Sequence, residues 1–168
     1  GNNAEALKEP YLLPVDITGK NIRLGISLSG LYKKLATYPV KGAYVFLDAC
    51  FSGGYKSAAP LLAQKGVRVV PKVGLPQGNT LSFSSSSGDQ TSSVYHEKKQ
   101  GYYTYFLIKT IRDAKGNLSM KELFERTSVA VKRATALIDK IQEPQCMVSP
   151  TWVGWENIKL ETPVTEIP

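Results

Sequence analysis

The strongest constraint on the fold is a short apolar segment that ends abruptly in small residues. Residues 43–50 read Ala-Tyr-Val-Phe-Leu-Asp-Ala-Cys, and residues 51–54 read Phe-Ser-Gly-Gly. The run Tyr44–Leu47 is continuously apolar, which is typical of a strand that helices cover on both faces. Strand and helix patterns alternate along the rest of the sequence. This alternation predicts an α/β fold built in layers. The sequence shows no internal repeat and no linker that would divide the chain.

Composition excludes several classes of protein. The 168 residues suit one domain, and no stretch approaches the roughly 20 apolar residues that a membrane helix needs. Two distant cysteines and one histidine provide neither a disulfide framework nor the usual four ligands of a zinc site. The net charge of +7 is scattered along the chain, so we expect no nucleic-acid partner. We also expect no membrane partner, since no apolar run is long enough, and no cofactor. The compartment stays open, with the cytoplasm slightly favoured because obvious secretion features are absent.

Local patterns predict the individual elements. Residues 11–16 indicate a strand that ends in Asp16. Helical spacing from Ile26 to Leu35, with Ser27 as N-cap, predicts a helix that ends before Pro39. A strand is expected at Thr80–Ser85, and another is possible at Val67–Val70. A second helix begins near Tyr103.

A capping box predicts the start of the third helix. Ser119 and Glu122 have the spacing in which each side chain satisfies an amide of the first turn. An apolar face is expected behind it, at Leu123, Thr127, Ala130, Ala134, Leu137 and Ile141. A last strand at Met147–Trp152 contains Pro150, which places it at the edge of a sheet. Residues 161–168 are expected to form an extended tail.

Reactive groups are predicted at one edge of this sheet, because ligands of open α/β sheets bind beyond the carboxyl ends of the strands. Three strand ends carry such groups: Asp16, the pair Asp48 and Cys50, and the loop Ser86–Asp89. Asp48 and Cys50 are two residues apart, so both side chains face the same side. A thiol at this position could attack a carbonyl group, and the backbone amides of the glycine-rich segment that follows could stabilise the oxyanion. It could equally be a buried small apolar residue.

Four segments together resemble a known family. They are Tyr-Leu-Leu-Pro-Val-Asp (11–16), Val-Phe-Leu-Asp-Ala-Cys-Phe-Ser-Gly-Gly (45–54), Ser-Gly-Asp-Gln-Thr-Ser (87–92) and Gly-Tyr-Tyr-Thr-Tyr-Phe-Leu (101–107). In this order they resemble the caspase-like cysteine peptidases, most closely the bacterial caspase-family and metacaspase branch. The resemblance implies a three-layer α/β/α sandwich with a mostly parallel sheet, of which this chain supplies the C-terminal portion. Residues 1–160 would form the peptidase domain.

The resemblance also implies roles for individual residues. Cys50 would be the nucleophile that forms a thioester with a peptide substrate, and its backbone amide would be one oxyanion donor. Asp48 matches the S1-pocket carboxylate that receives Arg or Lys in metacaspase-like members, and a carboxylate suits such a cation. Ser86 and Asp89 are further S1 candidates, although Asp89 could instead be a turn residue after Gly88.

One departure from the family concerns the general base. The family's catalytic histidine precedes the strand at residues 11–16, whereas the only histidine here, His96, follows Cys50. We therefore expect an N-terminal segment or a separate, autoprocessed subunit to supply the histidine, and this chain alone to be inactive. The resemblance raises the question of calcium, because calcium-dependent metacaspases use several acidic residues, one of which closely follows the nucleophile. Residues 51–64 contain no Asp or Glu. Asp16 matches another member of that set but cannot form a calcium site alone, so no calcium site is expected. Cys146 is expected to pack in the core.

The sequence leaves more than one function open. The leading prediction is a cysteine endopeptidase that cleaves after Arg or Lys through a Cys-His dyad containing Cys50. The missing histidine favours an alternative, a catalytically silent caspase-like module that binds partners. A small-molecule or nucleotide binder is a weaker alternative, because no Gly-x-Gly-x-x-Gly motif follows a strand.

Overall fold

The computed structural model describes residues 9–13, 24–49, 74–87, 90 and 92–160. Several predicted features therefore lie outside the described residues: Asp16, Cys50, Asp89, the possible strand Val67–Val70 and the tail 161–168.

Among the described residues, a three-stranded sheet forms the centre of the fold. It contains β3 (Ala43–Leu47), β4 (Thr80–Ser84) and β7 (Gln145–Val148), in the order β3-β4-β7. β3 and β4 are parallel, with Ala43 opposite Thr80 and Leu47 opposite Ser84. Among the described strands β7 pairs only with β4, to which it is antiparallel. The last strand was predicted at Met147–Trp152, but β7 ends at Val148, so Pro150 lies beyond the strand and does not account for its position at the edge. The parallel pair brings the ends of β3 and β4 to the same edge.

Burial differs between the two parallel strands, and here the prediction for β3 was wrong. Every residue of β4 is buried, although its sequence alternates Thr or Ser with Leu and Phe. In β3, by contrast, Tyr44 is 38% exposed and Phe46 is 40% exposed. The central position of β4 explains the difference, because β4 has a neighbour on each side while β3 pairs only with β4 among the described strands.

Helix α1 (Leu28–Ala36) covers one face of the sheet. Its N-cap is Ser27, whose hydroxyl accepts a hydrogen bond from the amide of Gly30 at 3.0 Å, as predicted. Tyr32 is buried, and its hydroxyl donates to Ser82 Oγ on β4 at 2.8 Å. This bond satisfies a small polar residue inside the sheet and joins the helix to β4. The short strand β2 (Ile26–Ser27) lies directly before this helix and pairs antiparallel with β1 (Tyr11–Leu12).

Helices α2 (Tyr102–Asp113) and α3 (Met120–Ala136) cover the other face. Phe83 of β4 contacts Phe124 of α3, with ring centroids 5.1 Å apart. The fully buried cluster comes from β4, both helices and the segment between them: Leu81, Phe83, Tyr103, Leu118, Met120, Leu123 and Val131. A helix layer on each side of the sheet confirms the predicted α/β fold.

The capping box is present, but the buried face of α3 differs from the predicted one. Glu122 Oε2 accepts from the Ser119 amide at 2.8 Å, and Ser119 Oγ accepts from the Glu122 amide at 3.2 Å. The helix ends at Ala136, so Leu137 and Ile141 lie beyond it and are 87% and 75% exposed. The residues that α3 buries are Met120, Leu123, Thr127, Ser128, Val131 and Thr135.

Two short segments complete the described structure. β5 (Val94–Tyr95) and β6 (Gln100–Gly101) form an antiparallel hairpin whose turn is a 3₁₀ helix, His96–Lys98. A second 3₁₀ helix, Trp155–Asn157, precedes a stretch that packs beside the start of α3. Among the described residues, no helix is long and apolar enough to cross a membrane.

Phe83 should contribute more stability than its neighbour Phe46. Phe83→Ala removes a fully buried ring and should lower the free energy of unfolding by roughly 3–5 kcal/mol. Phe46→Ala removes a ring from the opposite position of β3 and should cost clearly less, because that ring is partly exposed. Urea unfolding of the protein measures both values. Equal losses would contradict the burial described here.

Candidate functional site

Two of the predicted site residues, Asp48 and Ser86, follow the ends of β3 and β4 at one edge of the sheet, whereas Cys50 and Asp89 lie outside the described residues. Asp48 and Ala49 follow β3 directly, and Ser85 and Ser86 follow β4. The Ser85 amide donates to Leu47 O at 2.8 Å, and Ser85 Oγ donates to Ala49 O at 3.3 Å. The loop after β4 is thus bonded to the residue that precedes Cys50 in the sequence.

The carboxylate of Asp48 reaches the N-terminus of α2. Its Oδ2 atom accepts two hydrogen bonds from Thr104, one from the amide at 3.1 Å and one from the hydroxyl at 2.6 Å. Thr104 lies in the first turn of the helix, where amides lack partners within the helix and the helix dipole favours negative charge. Asp48 therefore caps α2 from another part of the chain.

Gly101 makes this approach possible. It is the N-cap residue of α2 and has an ordinary extended conformation, so its backbone does not require glycine. A Cβ atom at this position would lie 2.8 Å from Asp48 Cγ and 3.0 Å from Asp48 Oδ1. The missing side chain leaves the space that the carboxylate occupies.

Asp48 retains capacity to bind a cation. Its side chain is exposed to solvent, and within the described ranges it has no ion-pair partner and no hydrogen bond to Oδ1. Both bonds from Thr104 converge on the other oxygen. The arrangement leaves one carboxylate oxygen available at the carboxyl edge of the sheet.

Ser86 lies at the same edge, but its hydroxyl is bonded inside its own loop. The residue is buried, and Ser86 Oγ donates to Gln90 O at 3.4 Å. Ser86 O accepts from Ser84 Oγ, also at 3.4 Å. The predicted contact between Ser86 and substrate stays a prediction.

Two residues after α3 hold this loop, and the sequence analysis did not find them. Gln142 is buried; its Oε1 accepts from the Ser93 amide at 2.9 Å, and its Nε2 donates to Ser85 O at 3.0 Å. Glu143 exchanges two hydrogen bonds with the side-chain amide of Gln90, at 2.8 and 3.2 Å. These bonds bridge both ends of the loop, because a buried amide side chain can satisfy two backbone groups at once.

Aromatic contacts fix the β5–β6 hairpin to α2. The rings of Tyr95 and Tyr102 stack with centroids 4.5 Å apart and an interplanar angle of 2°. Tyr105 meets Tyr95 edge-on at 5.1 Å. His96 lies in the exposed 3₁₀ turn of this hairpin.

Burial suppresses ionisation of two groups near the site. Burial, followed by the negative charge of Asp48, raises the pKa of the Tyr103 hydroxyl well above its ordinary value. Burial, followed by the charge of Glu156, raises the pKa of the Cys146 thiol to about 11. Cys146 lies on β7 opposite Phe83 and packs against the core cluster, but it is only partly buried, whereas full burial in the core was expected. Both groups are neutral at physiological pH.

The part of the chain that the structure describes contains no group of three His, Cys, Asp or Glu residues that could hold a metal ion.

Comparison with protein families identifies the fold. The family model described as the caspase domain matches residues 1–152 of the 168. The chain belongs to the caspase-domain family. This membership confirms the resemblance drawn from the four sequence segments and assigns the chain to the cysteine-type peptidases, a class of hydrolases. No curated protein and no solved structure matched this caspase domain.

The contact between Gly101 and Asp48 can be tested by a double-mutant cycle. Gly101→Ala should destabilise the protein by roughly 1–3 kcal/mol, because the new Cβ displaces the carboxylate. In an Asp48→Ala background the same change should cost much less, since the nearest obstructing atoms all belong to Asp48. Thermal unfolding of the four proteins gives the coupling energy.

Gly74→Ala is the matched control for this cycle, because a Cβ there meets only an ordinary contact with Ser29 at 3.6 Å. If Gly101→Ala costs the same with and without Asp48, the described contact is wrong.

Proposed function

We propose that this caspase domain is the nucleophile-bearing part of a cysteine endopeptidase that cleaves after Arg or Lys. The observation that carries the proposal is the Asp48 carboxylate, exposed and without an ion-pair partner among the described residues, two positions before Cys50. A fixed carboxylate beside the nucleophile favours a cationic side chain in the substrate.

The proposed reaction is acyl transfer through Cys50. The thiolate attacks the carbonyl carbon of the scissile peptide bond and forms a tetrahedral intermediate, whose oxyanion accepts a hydrogen bond from the Cys50 amide. The leaving amine takes a proton from an imidazolium group as the C–N bond breaks. Water then attacks the thioester, giving the carboxylic acid and the free thiol.

The imidazole belongs, in this proposal, to an N-terminal segment or a separate subunit that accompanies the domain. His96 is the one histidine in the printed sequence, and it lies exposed in the hairpin turn. A general base needs to reach the nucleophile within hydrogen-bond distance. A histidine held close to the β3–β4 edge serves that role better than an exposed turn residue.

Asp48 has two tasks in this proposal. Its Oδ2 caps α2 through Thr104, and its Oδ1 faces the guanidinium or ammonium group of the P1 residue. Asp89 and Ser86 are proposed as further groups of the S1 pocket.

Asp48→Asn should reduce kcat/KM for P1-Arg and P1-Lys peptides by roughly 30-fold or more. Loss of a buried charge pair costs about 2–5 kcal/mol, and the exposure of Asp48 in the free protein favours the lower value. Asn can still accept the hydrogen bonds from Thr104, so the cap survives. Fluorogenic peptides ending in Arg, Lys, Asp and Leu measure the preference of the full-length protein.

Glu122→Gln is the matched control, because Glu122 is also a carboxylate that caps a helix and it lies at the start of α3. It should leave the preference between these peptides unchanged. Wild-type preference for Asp at P1, or an unchanged Arg preference in Asp48→Asn, would overturn the S1 assignment. A wild-type protein that cleaves none of the peptides would favour the silent interaction module.

Cys50 should be the thiol that alkylates first. With a pKa of about 11, Cys146 has roughly 100-fold less thiolate at pH 8 than a thiol of ordinary pKa 9.0. Brief iodoacetamide treatment at pH 8 followed by peptide mass mapping should therefore label Cys50. Labelling of Cys146 should rise steeply only as the pH approaches 11. Faster labelling of Cys146 at pH 8 would contradict the assignment of Cys50 as the reactive thiol.

A further inference from the structure

Thr104 makes one more hydrogen bond to Asp48 than helix capping alone requires. The amide of Thr104 is one of the first-turn donors without a partner inside the helix, and its bond to Asp48 Oδ2 already satisfies it. The hydroxyl adds a second, shorter bond to the same oxygen, at 2.6 Å. Two donors from one residue converge on one carboxylate oxygen.

This convergence restricts how the carboxylate can turn. The terminal torsion of an aspartate side chain is broad, so one hydrogen bond leaves the carboxylate plane free to rotate. A second donor in a different direction fixes the plane, and the bare backbone of Gly101 faces the same group. Oδ1 is consequently held in one orientation, with no hydrogen-bond partner in the described part of the chain.

We infer that the hydroxyl of Thr104 is a positioning group that sets selectivity for a cationic P1 side chain by fixing the orientation of Asp48. The inference rests on the proposed function, because it requires Asp48 to bind the P1 cation. It adds a residue 56 positions away in sequence to the specificity determinants. Thr104 acts through Asp48 and does not itself contact the substrate.

A structural role alone gives a different expectation. If the hydroxyl only stabilises α2, its removal should lower the melting temperature and reduce all substrates alike. If it orients Asp48, its removal should raise KM for cationic P1 residues and affect an apolar P1 residue much less. The ratio of kcat/KM for P1-Arg to kcat/KM for P1-Leu separates the two roles.

Thr104→Val is the informative variant, because it is nearly isosteric and removes the hydroxyl while keeping the amide. The Arg-to-Leu ratio should fall roughly 10-fold, mainly through KM for the Arg peptide, as expected for one lost hydrogen bond to a charged group. Thr104→Ser retains the hydroxyl and should restore most of the ratio. Ser119→Ala removes the N-cap hydroxyl of α3 and should lower the melting temperature without changing the ratio.

Gly101→Ala provides an independent route to the same effect. It leaves Thr104 intact but crowds the carboxylate, so it should also lower the Arg-to-Leu ratio. It keeps the inference testable if Thr104→Val fails to fold: an unchanged ratio in Gly101→Ala would then count against orientation of Asp48 as the basis of selectivity.

The experiment measures kcat and KM of the full-length protein on matched P1-Arg and P1-Leu peptides for the wild type and these variants. A lower ratio in Thr104→Val with recovery in Thr104→Ser supports the inference. Equal loss on both peptides, or an unchanged or increased ratio in a folded Thr104→Val protein, overturns it while the proposed function stands. A wild type that does not prefer Arg overturns the proposed function and this inference with it.

Discussion

The parallel, in-register pairing of β3 with β4 is the constraint on which the rest of the described structure depends. Because Leu47 lies opposite Ser84, both strands end at one edge, and the backbone leaves the sheet there twice. Asp48 and Ser85 are neighbours for this reason alone. Helices on both faces bury β4, and of its small polar residues Ser82 is satisfied by the Tyr32 hydroxyl of α1.

A charged side chain then joins this edge to the helical layer. The Asp48 carboxylate satisfies first-turn donors of α2 and places its negative charge at the positive end of the helix. The same contact fixes the separation between α2 and the end of β3. The two elements approach so closely that a side chain at position 101 would collide with Asp48. Stability and specificity are coupled here: the bonds that hold the helix also orient the group proposed to bind the substrate. Enzymes commonly hold binding groups on rigid elements in this way.

Buried polar groups hold the second loop of the site. Gln142 loses its hydrogen bonds to water on burial and replaces them with two hydrogen bonds to backbone groups. These bonds fix the loop after β4 at both ends. Cys146 gains no such compensation in the described contacts: burial and the negative charge of Glu156 raise the pKa of its thiol, which remains protonated. The domain therefore combines a partly buried, protonated thiol beside the core with a sheet edge at which a reactive thiol is expected.

Local signals in the sequence determined the caps, the strands β3 and β4, and the position of Asp48 at the end of β3. The Ser119–Glu122 box and the Ser27 cap are contacts over three residues, so they need no knowledge of the fold. The family resemblance in short motifs was confirmed by the caspase-domain model that matches residues 1–152. The buried face of α3 was misjudged beyond Ala136, because periodicity continues in the sequence where the helix has ended. Only the tertiary structure decided which strand is central, and it alone revealed Thr104 and Gln142. Their bonds to Asp48 and Ser85 span 56 and 57 residues, and no local propensity encodes a contact that depends on how two distant segments pack.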